Sequence, residues 1–167
     1  LSSGRVVEPL GVGEVLRGIL ENTFLVQVQG VENEKLNVQS ALSVAESIEQ
    51  NYCVSTIEDF PLASFSQSPY FEIKDQDVKL DIGGYQSTIF NLSISGVFSS
   101  DASFFTRGHG EGSFDGRELY PIMRDFGFEV NSGSEFCELL ETFHTSCTPC
   151  PTDGEPFCLN LIIDQLS

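Results

Sequence analysis

The residues best suited to chemistry are cysteines near the C-terminal end of the chain. Four of the five cysteines lie in this region, at Cys137, Cys147, Cys150 and Cys158, in a stretch rich in proline and glycine. Thiols this close together rarely stay free in an oxidising compartment. The sequence therefore predicts two structural disulfides that fasten a loop between a helix and a final strand.

The cysteine spacing also favours one pairing of the three that four cysteines allow. A Cys147–Cys150 bond would close a very small ring containing a proline, with strain at both sulfurs. We therefore expect Cys137–Cys147 and Cys150–Cys158, each closing a loop of about ten residues and contributing roughly 2–3 kcal/mol. Cys137–Cys150 with Cys147–Cys158 is sterically open as an alternative.

Two other interpretations of the cysteines involve chemistry. Cys147-x2-Cys150 matches a zinc knuckle, and a zinc site would add Cys137 and Cys158. Zinc knuckles usually place a second close pair opposite the first, whereas these two cysteines stand alone, so disulfides are favoured. A redox dithiol is disfavoured because the pair lies outside a strand-to-helix junction. Cys53 is left as the odd thiol and is expected to be a small buried hydrophobe.

A second candidate site lies on a predicted strand. His109 and Glu111 are two residues apart and so share a face of that strand. Asp101 or Asp115 could supply a third metal ligand across a hairpin, which gives a metal-dependent hydrolase as an alternative function. The simpler interpretation, which we favour, is a solvated sheet face with a cross-strand ion pair.

The remaining acidic residues and the motif inventory give no catalytic site. Asp75, Asp77 and Asp81 resemble the start of a calcium loop but lack its glycine and distal glutamate, so they are assigned to a polar strand face or a turn. The chain contains no G-x-S-x-G, phosphate loop or H-E-x-x-H motif. We expect no catalytic residue, no metal site and no cofactor, and hence a non-enzymatic protein.

Hydrophobic alternation predicts most of the strands. They are expected at 23–28, 36–44, 71–73, 78–82, 90–98, 103–115 and 157–163. Gly83-Gly84 and Ser99–Asp101 supply turns between them. One face of the strand at 90–98 is expected to hold Phe90, Leu92, Ile94, Gly96 and Phe98. Residues 50–70 look irregular.

Helical periodicity marks three segments. The first is a short apolar stripe at Val12, Val15, Leu16, Ile19 and Leu20, where a twisted strand is an alternative. The second follows Asp115, has Pro121 in its first turn, and presents Leu119, Ile122, Met123 and Phe126. The third has Ser134 as its expected N-cap and presents Phe136, Leu139, Leu140 and Phe143.

These elements define the expected fold class. We predict a mainly β domain over residues 1–167, an antiparallel β-sandwich or partly open barrel with one or two short helices before the last strand. Fourteen phenylalanines would fill its core or line a cavity for an apolar ligand, which makes a carrier of lipid-like molecules another alternative function.

The charge balance restricts the partners. With 8 basic and 25 acidic residues the net charge is −17, which disfavours nucleic acids and anionic membranes. The charge suits solubility or a basic partner. No apolar run is long enough to span a membrane. Residue 1 is Leu rather than Met, so we expect upstream processing or truncation, with room for a signal peptide or lipid anchor.

Parts of the chain resemble a known class of proteins. The stretches SPYF at 68–71, NLSISGVF at 91–98 with Asp101, and CTPCPTDGEPFCL at 147–159 are similar to those of uncharacterised envelope lipoproteins of Gram-negative bacteria. The resemblance covers about the last hundred residues and concerns the scaffold. It implies a location outside the cytoplasm and not an activity. We separately predict a non-enzymatic, secreted or envelope-anchored binding or structural domain, whose partner is another protein or a further copy of the chain.

Overall fold

The computed structural model describes residues 5–8, 24–45, 47, 49–53, 62–82, 85–125 and 127–166. The described strands are β1 (Arg5–Glu8), β2 (Phe24–Glu32), β3 (Lys35–Leu42), β4 (Ala63–Gln67), β5 (Tyr70–Ile82), β6 (Tyr85–Phe98), β7 (Phe105–Asp115) and β8 (Cys158–Leu166). A 3₁₀ turn (Gly116–Leu119) leads into helix α1 (Tyr120–Asp125), and helix α2 (Gly133–Thr142) follows. The predicted mainly β class, with short helices before the last strand, is confirmed.

All eight strands join one antiparallel sheet in the order β1-β8-β7-β6-β5-β4-β3-β2. Each strand from β2 onward pairs with its sequence neighbour, and β8 also pairs with β1. This is the order of an up-and-down barrel in which the described strands lack one pairing, that between β1 and β2. Over the described residues the sheet is therefore single and continuous, and its strand order fits the barrel rather than the sandwich of the two architectures expected.

The long central strands contain bulges that the alternation did not reveal. Residues 71–82 form one strand rather than two, because a register shift between Ile73 and Gln76 absorbs an extra residue. Asp75 there has φ +49°, and Asn91 at the shift on β6 has φ +51°. The bulge at Asn91 changes which side chains share a face, so Ile89 rather than Phe90 packs with Leu92.

The two faces of the sheet differ in polarity. One register row crosses all eight strands and consists of polar or charged residues: Arg5, Asp164, His109, Ser95, Glu72, Ser64, Lys35 and Glu32. The next row belongs to the opposite face, and in the middle of the sheet it contains Ile163, Gly110, Ile94 and Ile73. The expected wet face and apolar face are both present.

The apolar face carries two clusters, and a third joins the helices to β8. The largest on the sheet centres on Leu36, Val38, Ala63, Phe71 and Ile73. Beside it, Val78 and Leu92 pack with Phe114. Helix α2 buries Phe136 and Leu140 against Leu159 and Val130.

Helix α2 begins earlier than the sequence predicted. Its N-cap is Ser132, not Ser134, and the Ser132 hydroxyl accepts a hydrogen bond from the Glu135 N–H at 3.2 Å. The Glu135 carboxylate in turn accepts from the Asn131 N–H at 2.8 Å. The first bond satisfies a backbone donor that the helix leaves free, and the second fixes the residue that precedes the cap. The Ser-x-x-Glu spacing in the sequence could have identified this cap.

Several sequence predictions fall on other parts of the chain. The apolar stripe at 12–20, the Gly83-Gly84 turn and Phe126 lie outside the described residues. The strands on either side of 83–84 pair with Ile82 opposite Tyr85. The segment from 50 to 70, expected to be irregular, contains the short strand β4. Ala63 and Phe65 alternate there with Ser64 and Ser66, but two apolar residues in five were too few for the strand to be recognised from the sequence.

Candidate functional site

The cysteine loop is closed by two disulfides. Cys137 is bonded to Cys147 and Cys150 to Cys158, with Cα–Cα distances of 5.6 and 4.9 Å. This is the pairing favoured on sequence. The loop also makes a backbone ladder with β8, since Thr148 N–H donates to the Cys158 carbonyl at 2.8 Å and the Thr148 carbonyl accepts in return at 3.0 Å. The disulfides and this ladder fix the loop along the start of β8.

An ion-pair network supports the same corner. Arg117 donates from its guanidinium to Asp115 at 2.6 Å and to Asp153 at 2.7 Å. Asp115 is buried, and the guanidinium lies 5.5 Å from the centre of the Phe157 ring. Both carboxylates raise the pKa of Arg117. Arg117 thereby joins the end of β7 to the loop across 36 residues of sequence, a connection that the sequence did not reveal.

The environment of Asp153 keeps it ionised. Its carboxylate accepts the Glu155 backbone N–H at 2.9 Å. This bond, followed by the hydrogen bond from Arg117, lowers the pKa of Asp153 below its ordinary value. Hydrogen bonds to the charged form stabilise that form. At neutral pH the ion pairs of Arg117 with Asp115 and Asp153 therefore hold the loop against the end of β7.

The sulfur atoms do not form a zinc site in this structure. Within the described residues, the one group of three potential metal-ligand atoms closer than 4.8 Å is Asp115, Cys150 and Cys158. The two sulfurs of that group are bonded to each other, and the Asp115 carboxylate receives hydrogen bonds from Arg117. Oxidised sulfur supplies no thiolate for metal binding. A zinc site built from the four cysteines therefore does not describe the protein with its two disulfides formed.

The residues of the alternative hydrolase site are not brought together. His109 Nδ1 lies 2.6 Å from the Asp164 carboxylate on the neighbouring strand, and both side chains are nearly half exposed. Asp101 is held in the β6–β7 turn by Ser99 and Ser103. The geometry at His109 is the cross-strand pair of the simpler interpretation.

The other acidic candidates lie on β5. Asp75 and Asp77 are exposed beside the bulge. The Asp77 carboxylate accepts the Asn91 N–H at 3.0 Å, so it supports the neighbouring bulge. Asp81 also lies on β5. The assignment of these residues to a strand agrees with the structure.

Four phenylalanine rings contact one another on the apolar face. Phe71 and Phe98 have ring centroids 5.0 Å apart, and Phe71 and Phe105 are 5.4 Å apart in an edge-to-face arrangement. Phe65 packs edge-on against Phe98 at 6.0 Å. Such pairs are favourable packing geometries. These four rings therefore pack against one another as part of the hydrophobic core.

Cys53 differs from expectation. It was predicted to be a buried hydrophobe, but it is an exposed free thiol. Its N–H donates to the Asn51 side-chain oxygen at 3.0 Å in a local turn. This turn leaves the Cys53 side chain exposed, which corrects the prediction.

The strongest surface feature is the end of the sheet at β2. Among the described strands, β2 pairs only with β3. Near the β2–β3 hairpin an open groove of about 730 Å³ is lined by Gln29, Gly30, Val31, Glu32, Asn33, Lys35, Asn37 and Leu62. Val31 and Leu62 are 59% and 56% exposed. The sequence analysis missed this site, although the uncharged stretch 24–31 was visible.

Comparison with known proteins gives no relative. No protein-family model, no curated protein and no solved structure matches this chain. Within the described part of the chain, no helix is both long and apolar enough to cross a membrane. The functional interpretation therefore depends on the geometry alone.

Proposed function

We propose that this chain is a non-enzymatic binding or structural domain of a secreted or envelope-anchored protein. The observation that carries the proposal is the nine-residue strand β2 at one end of the sheet, uncharged up to its last residue. Backbone groups at a sheet edge are a ready template for another chain. The partner is another protein or a further copy of this chain at the cell envelope.

The two disulfides support an extracytoplasmic location. Disulfides form and persist in secreted and periplasmic proteins and are rare in the cytosol. The resemblance to envelope lipoproteins, carried mainly by the cysteine loop, agrees with that location. It suggests a lipid anchor upstream of Leu1.

Cys53 provides a direct test of this proposal, because it is the free thiol and is exposed. A fluorescent sulfonated maleimide, which does not cross the cytoplasmic membrane, is applied to intact cells that produce the protein. The labelled species is then run on a native gel. We expect labelling before lysis and a species larger than the purified monomer.

The matched control is Cys53→Ser, which should abolish the fluorescence and leave both disulfides intact. Labelling that occurs only after lysis would contradict the location. A labelled species of monomer size would contradict the binding function.

A further inference from the structure

The outer edge of β2 lacks the features that usually protect a sheet edge. Residues 24–31 read FLVQVQGV and contain neither a charge nor a proline. Val28 and Val31 are 37% and 59% exposed. Natural edge strands are commonly short, charged or interrupted by proline. By contrast β1, at the other end of the sheet, has four residues with Arg5 and Glu8 at its ends.

The geometry of β2 provides a pairing surface. Its register with β3 is regular from Phe24 to Val28, before a shift between Val28 and Gly30. Five residues of regular strand span about 17 Å, enough for a short added strand. An extended segment that adds a strand to a sheet edge binds by β-augmentation.

The charge distribution selects the occupant. The hairpin carries Glu32 and Glu34 against Lys35, and the whole chain has a net charge of −17. A second copy would bring the same negative charge to the edge, and like-charge juxtaposition opposes binding. A segment with lysine or arginine between apolar residues meets both the acidic residues of the hairpin and the exposed apolar side chains of Val28 and Val31.

We infer that β2 is the docking edge for an extended, basic segment of a partner protein, which adds a ninth strand to the sheet. This inference rests on the proposed binding function and names the partner's chemistry. Pairing gives affinity through backbone hydrogen bonds, and the acidic residues of the hairpin select basic side chains.

The test measures backbone hydrogen exchange in the purified, oxidised protein with two synthetic peptides. One is an octapeptide of alternating lysine and valine, and the other alternates glutamate and valine. We expect the lysine peptide to slow exchange at residues 24–32, with an effect that weakens at high salt, and the glutamate peptide to have no effect. Val31→Lys should weaken lysine-peptide binding by about tenfold, because it places a like charge in the groove.

The matched control is Phe104→Lys, another exposed apolar residue (56% exposed) in the β6–β7 turn, which should leave binding unchanged. Val31→Thr, which keeps the β-branched shape, should retain binding and shows that an effect of the lysine is not misfolding. Equal protection by both peptides, or protection elsewhere, would overturn the inference. Slow exchange in the free protein of those N–H groups of residues 24–32 that are not bonded to β3 would also overturn it. Concentration-dependent protection without peptide, which indicates a second copy, would overturn it as well. If these peptides fail while the native gel shows a large complex, the edge inference falls and the binding function stands.

Discussion

Asp101 is the residue whose charge most clearly supports a local structure. Its carboxylate accepts from Ser99 Oγ at 2.6 Å and from Ser103 Oγ at 2.8 Å, closing the β6–β7 turn. These bonds, together with the Ser103 backbone N–H, lower the pKa of Asp101 to about 2. Ionised Asp101 therefore stabilises the fold above its unfolded pKa of 3.8, and this contribution is lost as the pH falls towards 2.

Asp101→Asn should lower the urea midpoint at pH 7, because the amide cannot replace an ionised acceptor for three donors. The difference from the parent protein should shrink between pH 4 and pH 2 and then vanish, as the carboxylate becomes protonated in the folded state as well. Urea unfolding of the variant and the parent protein at pH 7 and at pH 2 measures this difference. Glu34→Gln, at an exposed turn, is the control. An Asp101→Asn difference that is the same at both pH values would contradict the role of the charge.

Gly116 is required by close packing at the junction between β7 and the helices. A Cβ atom at this position would lie 2.2 Å from the Phe136 ring, and Phe136 is only 1% exposed. Gly116→Ala should therefore destabilise the protein by about 1–3 kcal/mol through overpacking. The control is Gly30→Ala, where a Cβ would meet nothing within 4 Å. Equal stability of the two variants in urea would show that the ring moves away without cost.

At the scale of elements, the cysteine loop fastens the helices to the last strand. Removing Cys150–Cys158 by the double change to alanine should cost about 2–3 kcal/mol through the unfolded chain, with a further cost from the cavity left at the buried sulfurs. Removing Cys137–Cys147, whose residues are partly buried, should cost less. Urea unfolding compares them.

Cys53→Ser serves as the control for these variants, since its thiol is exposed and its removal should leave the midpoint unchanged. A double variant as stable as the parent would show that the Thr148–Cys158 ladder and the Arg117 network hold the loop without the disulfide.

The elements also show how far the sequence could predict the fold. Alternation located most of β5 to β8, because one face of each strand packs on the apolar clusters. It missed the bulges at Asp75 and Asn91, because positive φ is usually associated with glycine and no glycine stands there. The Arg117–Asp153 contact could not be predicted from the sequence either, because it depends on how the loop folds back onto β7.

The site was predicted unevenly for physical reasons. Ring size, which is a local property of the sequence, excluded the Cys147–Cys150 bond and left two pairings, of which the favoured one is present. The open edge could not be predicted, because whether a strand lies at the centre or the end of a sheet depends on the order of all eight strands. The lack of charge in residues 24–31 gains its meaning only once β2 is known to be the last of the described strands in the sheet.

At the scale of the whole molecule, two properties act together. The net charge of −17 opposes the approach of like-charged surfaces, while residues 24–31 of β2 carry no charge. The disulfide-fastened corner lies at the start of β8, where the loop pairs with that strand.

The most direct measurement of the central claim is hydrogen exchange at residues 24–32 in the native assembly, isolated under mild conditions from the producing cells, compared with the purified monomer. We expect slower exchange of this segment in the assembly, with unchanged exchange in the centre of β6, which is paired on both sides. Identical exchange of residues 24–32 in the two samples would contradict the claim that this protein binds its partner through β2.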